Sequence, residues 1–191
     1  MHGSYVESFK DLYHGTIESF AASIVETQTF IPSKEGWCGP GVYFYDNKSK
    51  AWWSACRTCR YEKEKGNNDA IADIVIADIK PLKKELILDL RAPKDLETFA
   101  NFVNTFLSQN NFESEENIDP LEWLKQKRAM LLSFYCQENN IQLIVGYFKQ
   151  QSQGPIDAVA DFADSWQLAI GIETIYCAKS TAIVHNIRRR R

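Results

Sequence analysis

The chain has 191 residues, room for one domain with a substantial core and little room for two. Lys plus Arg total 22 against 25 Asp plus Glu, a formal charge of −3, which excludes a bulk polyanion binder and confines any nucleic-acid contact to a local basic strip. An apolar share of 45% with 13% aromatics excludes a disordered chain, because enough surface can be buried to offset chain entropy.

No run reaches the roughly 20 apolar residues that span a bilayer, and the opening MHGSYVESFKDLYHG has no apolar signal segment. A cytosolic chain without membrane association is therefore expected. Five cysteines (Cys38, Cys56, Cys59, Cys136, Cys177) are odd in number and scattered, which argues against a disulfide framework. Cys56 and Cys59 form a lone C-x-x-C. With no second pair at zinc spacing and only three histidines (His2, His14, His185), reduced thiols on a helix are expected and no metal site.

In chain order, 11–14 reads as a brief strand. Ile17, Phe20, Ala21, Ile24 and Val25 then recur at helical spacing, which predicts an amphipathic helix over 17–27. PSKEGWCGPG (32–41) is turn chemistry, and VYFY (42–45) is a strand. Asp46 or Asn47 caps a helix over about 48–65 that stops at Gly66. The apolar runs 70–79 and 86–90 have strand length and β-branched content. Pro93 opens a helix to about 109, and Pro120, with Asp119 as its cap, another to about 138. IQLIVGYF (141–148) returns to strand, KQQSQGP is polar, 156–168 is helical or looped, and strands follow near 171–178 and 181–187. The expected fold is one α+β domain over 1–191, a mixed or antiparallel sheet with a helical insertion at about 93–140 and a basic tail at 188–191.

Three residues stand out, each with a plain structural reading beside the chemical one. His14 ends a strand in Y-H-G-T, where Gly15 lets a ligand approach the backbone and Thr16 offers a hydroxyl. Tyr43, in G-P-G-V-Y-F, is either a ring platform or core packing. Glu173, in G-I-E-T-I-Y-C, puts a charge in an apolar strand, which is costly unless it faces solvent, a cleft or a partner.

Together these segments resemble the diphtheria-toxin and poly(ADP-ribose)-polymerase-like branch of the ADP-ribosyltransferase fold, with its His-Tyr-Glu triad. The strand ending in H-G-S/T is matched by Leu12-Tyr13-His14-Gly15-Thr16. The G-x-G-[I/V]-Y-F-x-D-x-x-S-K element is matched by Gly39 to Lys50, and the late E-x-I/V-Y strand by Glu173-Thr174-Ile175-Tyr176. The twelve-residue second element is the specific one.

The resemblance implies a metal-free enzyme that transfers ADP-ribose from NAD+ and releases nicotinamide. Breaking the bond to nicotinamide builds positive charge on the ribose, which a fixed carboxylate stabilises. That role falls to Glu173. Gly15 would meet the carboxamide, His14 and Thr16 the adenosine ribose, and Tyr43 would stack on the nicotinamide ring. Relatives carry a serine where this chain has Ala51, and a second aromatic where it has Ser54. Trp52 and Trp53 are candidates to compensate, and a rotation of about 100° per residue lets only one face the pocket.

The size suggests a mono-ADP-ribosyltransferase of the toxin or effector kind, acting on a nucleic acid or a protein. Arg188–Arg191 would contact phosphates, dock an acidic antitoxin or chaperone, or be a disordered end, and KQQSQG (149–154) would touch the acceptor or be a simple loop. An NAD glycohydrolase and a non-catalytic interaction module of the same fold are the alternative readings. An RNA 2′-phosphotransferase ranks behind both, because it needs several basic catalytic residues and only His14 is suitably placed.

Overall fold

β1 (Val6–Ile17) is three times the length of the strand expected at 11–14. Its register against β3 shifts between Glu7 and Phe9 and again before Leu12, and Asp11 adopts φ 55°. This bulge breaks the period-two pattern that would have marked the strand in the sequence. The structure, a computed structural model, describes residues 6–110, 120–149 and 172–189. The Asp119 cap, the loop residues 150–154 and the 156–168 segment of the sequence reading lie outside them.

The remaining elements follow the hydrophobic periods closely. They are α1 (Glu18–Thr27), β2 (Val42–Tyr45), α2 (Lys48–Glu64), β3 (Ala72–Lys83), β4 (Ile87–Asp89), α3 (Pro93–Gln109), α4 (Pro120–Glu138), β5 (Leu143–Lys149), β6 (Ile172–Ala178) and β7 (Val184–Arg189). Asn47 caps α2 by accepting a hydrogen bond from the Ser49 N–H at 2.9 Å, and Gly66 beyond its end takes φ +97°.

The strands form one mixed sheet in the order β4-β5-β6-β2-β1-β3-β7, antiparallel except for the β4–β5 pair. Alternation divides its core into two layers. Leu12, Val42, Phe44, Val75, Ala77 and Tyr176 point to the side covered by α1. Tyr43, Tyr45, Ile74, Ile144, Ile175 and Cys177 point to the other, where α2 contributes Ala51 and α4 contributes Leu132 and Tyr135. The helical insertion therefore roofs the face that carries Tyr43.

Gly15 is fixed by packing. A Cβ there would overlap the Ala51 carbonyl oxygen and lie 2.7 Å from the Ala55 N, both backbone atoms of α2. Beside any role in ligand approach, the missing side chain of this glycine admits a helix. The same closeness explains Ala51, which is completely buried. Gly15→Ala must push α2 off the sheet, and chemical denaturation should show a loss of about 1–3 kcal/mol, as in other overpacked cores.

The basic tail is corrected too. Arg188 and Arg189 are strand residues of β7, and carboxylates far away in sequence hold them. Arg189 meets Asp73 at 2.7 Å and Glu18 at 3.0 Å, and Arg188 pairs with Asp11 and lies 3.4 Å from Asp78. Both charges are neutralised within the fold. Arg190 and Arg191 lie outside the described residues.

Candidate active site

The three candidate residues stand on neighbouring strands: His14 on β1, Tyr43 on β2 and Glu173 on β6, with β2 in the middle. Tyr43 pairs with Cys177 and Tyr45 with Ile175, so Glu173, two residues further along β6, shares the Tyr43 face. His14 and Thr16 alternate to the opposite face, where the imidazole packs edge-on against Phe30 and Phe44. The structure thus brings two of the three side chains to one face. The third is joined to them through the strand edges.

That junction is a gap in the sheet. β1 and β2 have one registered pair, Tyr13 with Tyr45, and beyond it the strands carry no further register. His14 spans the opening, its Nδ1 lying 2.8 Å from the Tyr43 carbonyl oxygen. A carbonyl only accepts, so Nδ1 carries the hydrogen, and the neutral ring presents the Nε2 lone pair. The β2-facing edge of β1 at Gly15 and Thr16, both buried, is strand backbone without a registered β2 partner among the described residues, a kind of edge to which an amide ligand bonds.

Burial pushes the His14 imidazole below its ordinary 6.5, and the bond to Tyr43 only partly opposes this. The unfolded chain therefore binds a proton that the folded one resists. The stability from neutral His14 is complete above 6.5 and declines as pH falls below it. Thermal melts between about pH 8 and pH 5 should show this decline in the wild type, and His14→Gln should remove that part of it.

Glu173 is the most constrained group of the site. Its side chain is 3% exposed, one carboxylate oxygen pairs with the Lys50 ammonium, and the other, Oε2, is buried without a hydrogen-bond partner among the described residues. Lys50 lies in the first turn of α2 and is 37% exposed, so one end of the pair touches water. Sequence reasoning passed over Lys50, although it closes the S-K step of the Gly39–Lys50 element. Its role depends on a partner 123 residues away, which spacing does not reveal.

Tyr43 is a pinned ring. Its hydroxyl accepts from the Cys38 N–H at 3.0 Å and donates to the Gly39 carbonyl, and Gly36 has no room for a Cβ against the ring. Burial, with Cys177 and Cys38 close by, pushes its phenol well above the ordinary range. It therefore stays protonated. Of the two tryptophans, Trp52, 48% exposed, lines a cleft of about 400 Å3 with Lys48, Ser49 and Ile74, the register partner of Gly15. Trp53 turns away and lies beneath the Arg57 guanidinium, 5.3 Å from ring centroid to Cζ. The start of α2 thus faces this cleft with Lys48, Ser49 and Trp52 and grips Glu173 with Lys50.

Cys56 and Cys59 are free thiols on α2, Cys59 donating to the Ala70 carbonyl at 3.1 Å. Among the described residues, no three His, Cys, Asp or Glu side chains are grouped to hold a metal ion, and no helix is long and apolar enough to cross a membrane. Comparison with protein-family models, with curated proteins and with solved structures finds no match.

Proposed function

We propose that the chain is an NAD+-dependent mono-ADP-ribosyltransferase that releases nicotinamide and passes ADP-ribose to a macromolecule. The observation that carries this reading is the Glu173 carboxylate, buried in a strand with Lys50 on one oxygen and, among the described residues, no partner on the other. A fold gains little from such a group, since an unsatisfied buried oxygen is costly and an apolar side chain would pack as well. It suits a ligand that brings a hydroxyl donor and develops positive charge beside it. The ribose of NAD+ does both as its bond to nicotinamide breaks.

In this reading Lys50 is a positioning residue that holds one carboxylate oxygen, so that the other addresses the ribose. Trp52 and the pinned Tyr43 offer apolar surface to the nicotinamide ring, and the open β1 edge at Gly15 bonds its carboxamide. His14, neutral above its lowered pKa, offers Nε2 as an acceptor for a sugar hydroxyl. The C1′–N bond to nicotinamide breaks with its electron pair leaving on nicotinamide. A nucleophile of the acceptor bonds to C1′ and gives up its proton.

Incubation with NAD+ labelled in its ADP-ribose half tests the proposal. Nicotinamide should appear together with label on a macromolecular fraction. Free labelled ADP-ribose alone would make the chain a glycohydrolase. Release no faster than from Glu173→Gln would leave a binding module without this chemistry.

A further inference from the structure

A second cleft, of about 500 Å3, lies between the loop that precedes β2 and the helix α4, away from Glu173. It has the size of an ordinary ligand site, for which about 300–1,000 Å3 is usual. Four cations reach it, Lys34 and Arg57 with Lys125 and Arg128 of α4, against the carboxylates of Glu35 and Glu122. On a chain with formal charge −3, this excess of positive charge is local.

Arg128 is its most prepared group. The guanidinium lies over Trp37, 4.5 Å from the ring centroid, and its Nε donates to the Trp37 carbonyl at 3.0 Å. Among the described residues no carboxylate pairs with it, and both Nη groups are without a hydrogen-bond partner. A planar fork held from behind, with its outer donors free, matches the paired oxygens of a phosphate. Phe148 borders the guanidinium as well, 5.8 Å from ring centroid to Cζ, so its Nη edge is what it offers to a ligand. Glu35, which no ion pair among the described residues holds, and Gln126 add acceptors and an amide for base edges, as a purely anionic peptide would not require.

The floor of this cleft is the roof of Tyr43. Gly36 and Gly39 line it; the first abuts the Tyr43 ring, and the carbonyl of the second accepts the hydrogen bond of its hydroxyl. We propose that the cleft between the pre-β2 loop and α4 binds a single-stranded nucleic acid, with a phosphate on Arg128 and neighbouring phosphates on Arg57 and Lys125. That the bound strand is the acceptor of ADP-ribose rests on the transferase reading above. The binding itself does not.

The test is fluorescence anisotropy of the full chain with labelled 12-nucleotide single strands of RNA and of DNA, without NAD+. At least one should bind, more weakly as salt rises. Arg128→Met, which keeps the aliphatic cover of Trp37, should weaken binding about ten-fold, and Arg57→Met should lower the salt slope by about one. Lys83→Met, an exposed β3 cation outside the cleft, is the control and should change neither. No binding of either strand at low salt, or an equal loss in the control, overturns the proposal. So does displacement of the strand by ADP-ribose, which would give the cleft to the donor, or by an oligoglutamate peptide at equal concentration, which would give it to a protein. Nicotinamide release from the same preparations reports the donor reaction separately, so either half can fail alone.

Discussion

Glu173→Gln should reduce nicotinamide release by about 10²-fold or more while leaving the fold at least as stable as the wild type. The kinetic half follows from where the charge matters. A carboxylate contributes most when the ribose becomes cationic, and removing one group aimed at developing charge typically costs 10²–10³ in turnover. The stability half follows from burial. Glutamine is nearly isosteric, removes a charge from a side chain 3% exposed, and leaves Lys50 free to turn its 37% exposed ammonium toward water. A variant that turns over normally would remove Glu173 from the chemistry. One that is inactive because it is unfolded would make the residue a structural strut, and denaturation curves distinguish the two.

Lys50→Met should do the reverse to stability. It strands the Glu173 carboxylate, which then has no partner among the described residues for either oxygen and little solvent to replace one. Breaking a buried pair from one side costs about 3–5 kcal/mol, and the exposure of Lys50 puts this case near the lower end. Adding Glu173→Gln to Lys50→Met should restore most of the lost stability. A double variant no more stable than Lys50→Met would mean that the lysine acts through contacts other than this pair. Turnover should fall in both single variants, in Lys50→Met because the carboxylate is no longer held in one position.

The contrast between these two residues shows what the sequence made legible. VYFY and the turn-rich GPG before it announce β2, because β-branched and aromatic side chains fill both faces of a central strand. Pro93 and Pro120 mark helix starts, and those boundaries stand. Glu173 was conspicuous because a charge in an apolar strand needs a reason. Lys50 and Arg128 were not, since each looks like a surface cation until a distant segment folds against it.

The same distance effect explains the misreadings. The missing side chain of Gly15 is required by α2, whose Ala51 and Ala55 backbone fills that space, and no spacing in the sequence announces this second demand. The apparent defect at Ala51 is the complement of that packing. Arg188 and Arg189 looked like a free basic end, yet Asp73, Asp78, Asp11 and Glu18 claim them from β1, α1 and β3. The face that His14 takes relative to Tyr43 follows from the pairing of Tyr13 with Tyr45, which the β1 sequence does not hold. What strand periodicity does not encode is the gap between β1 and β2, which lets the imidazole reach the Tyr43 carbonyl.

The account as a whole requires one dinucleotide to touch three strands and the start of α2. An amide NMR titration of the chain with NAD+ measures this directly. Resonances of Gly15, Tyr43, Lys50 and Glu173 should move together and follow a single saturation curve. Shifts confined to one of these segments, or none at saturating NAD+, would contradict it.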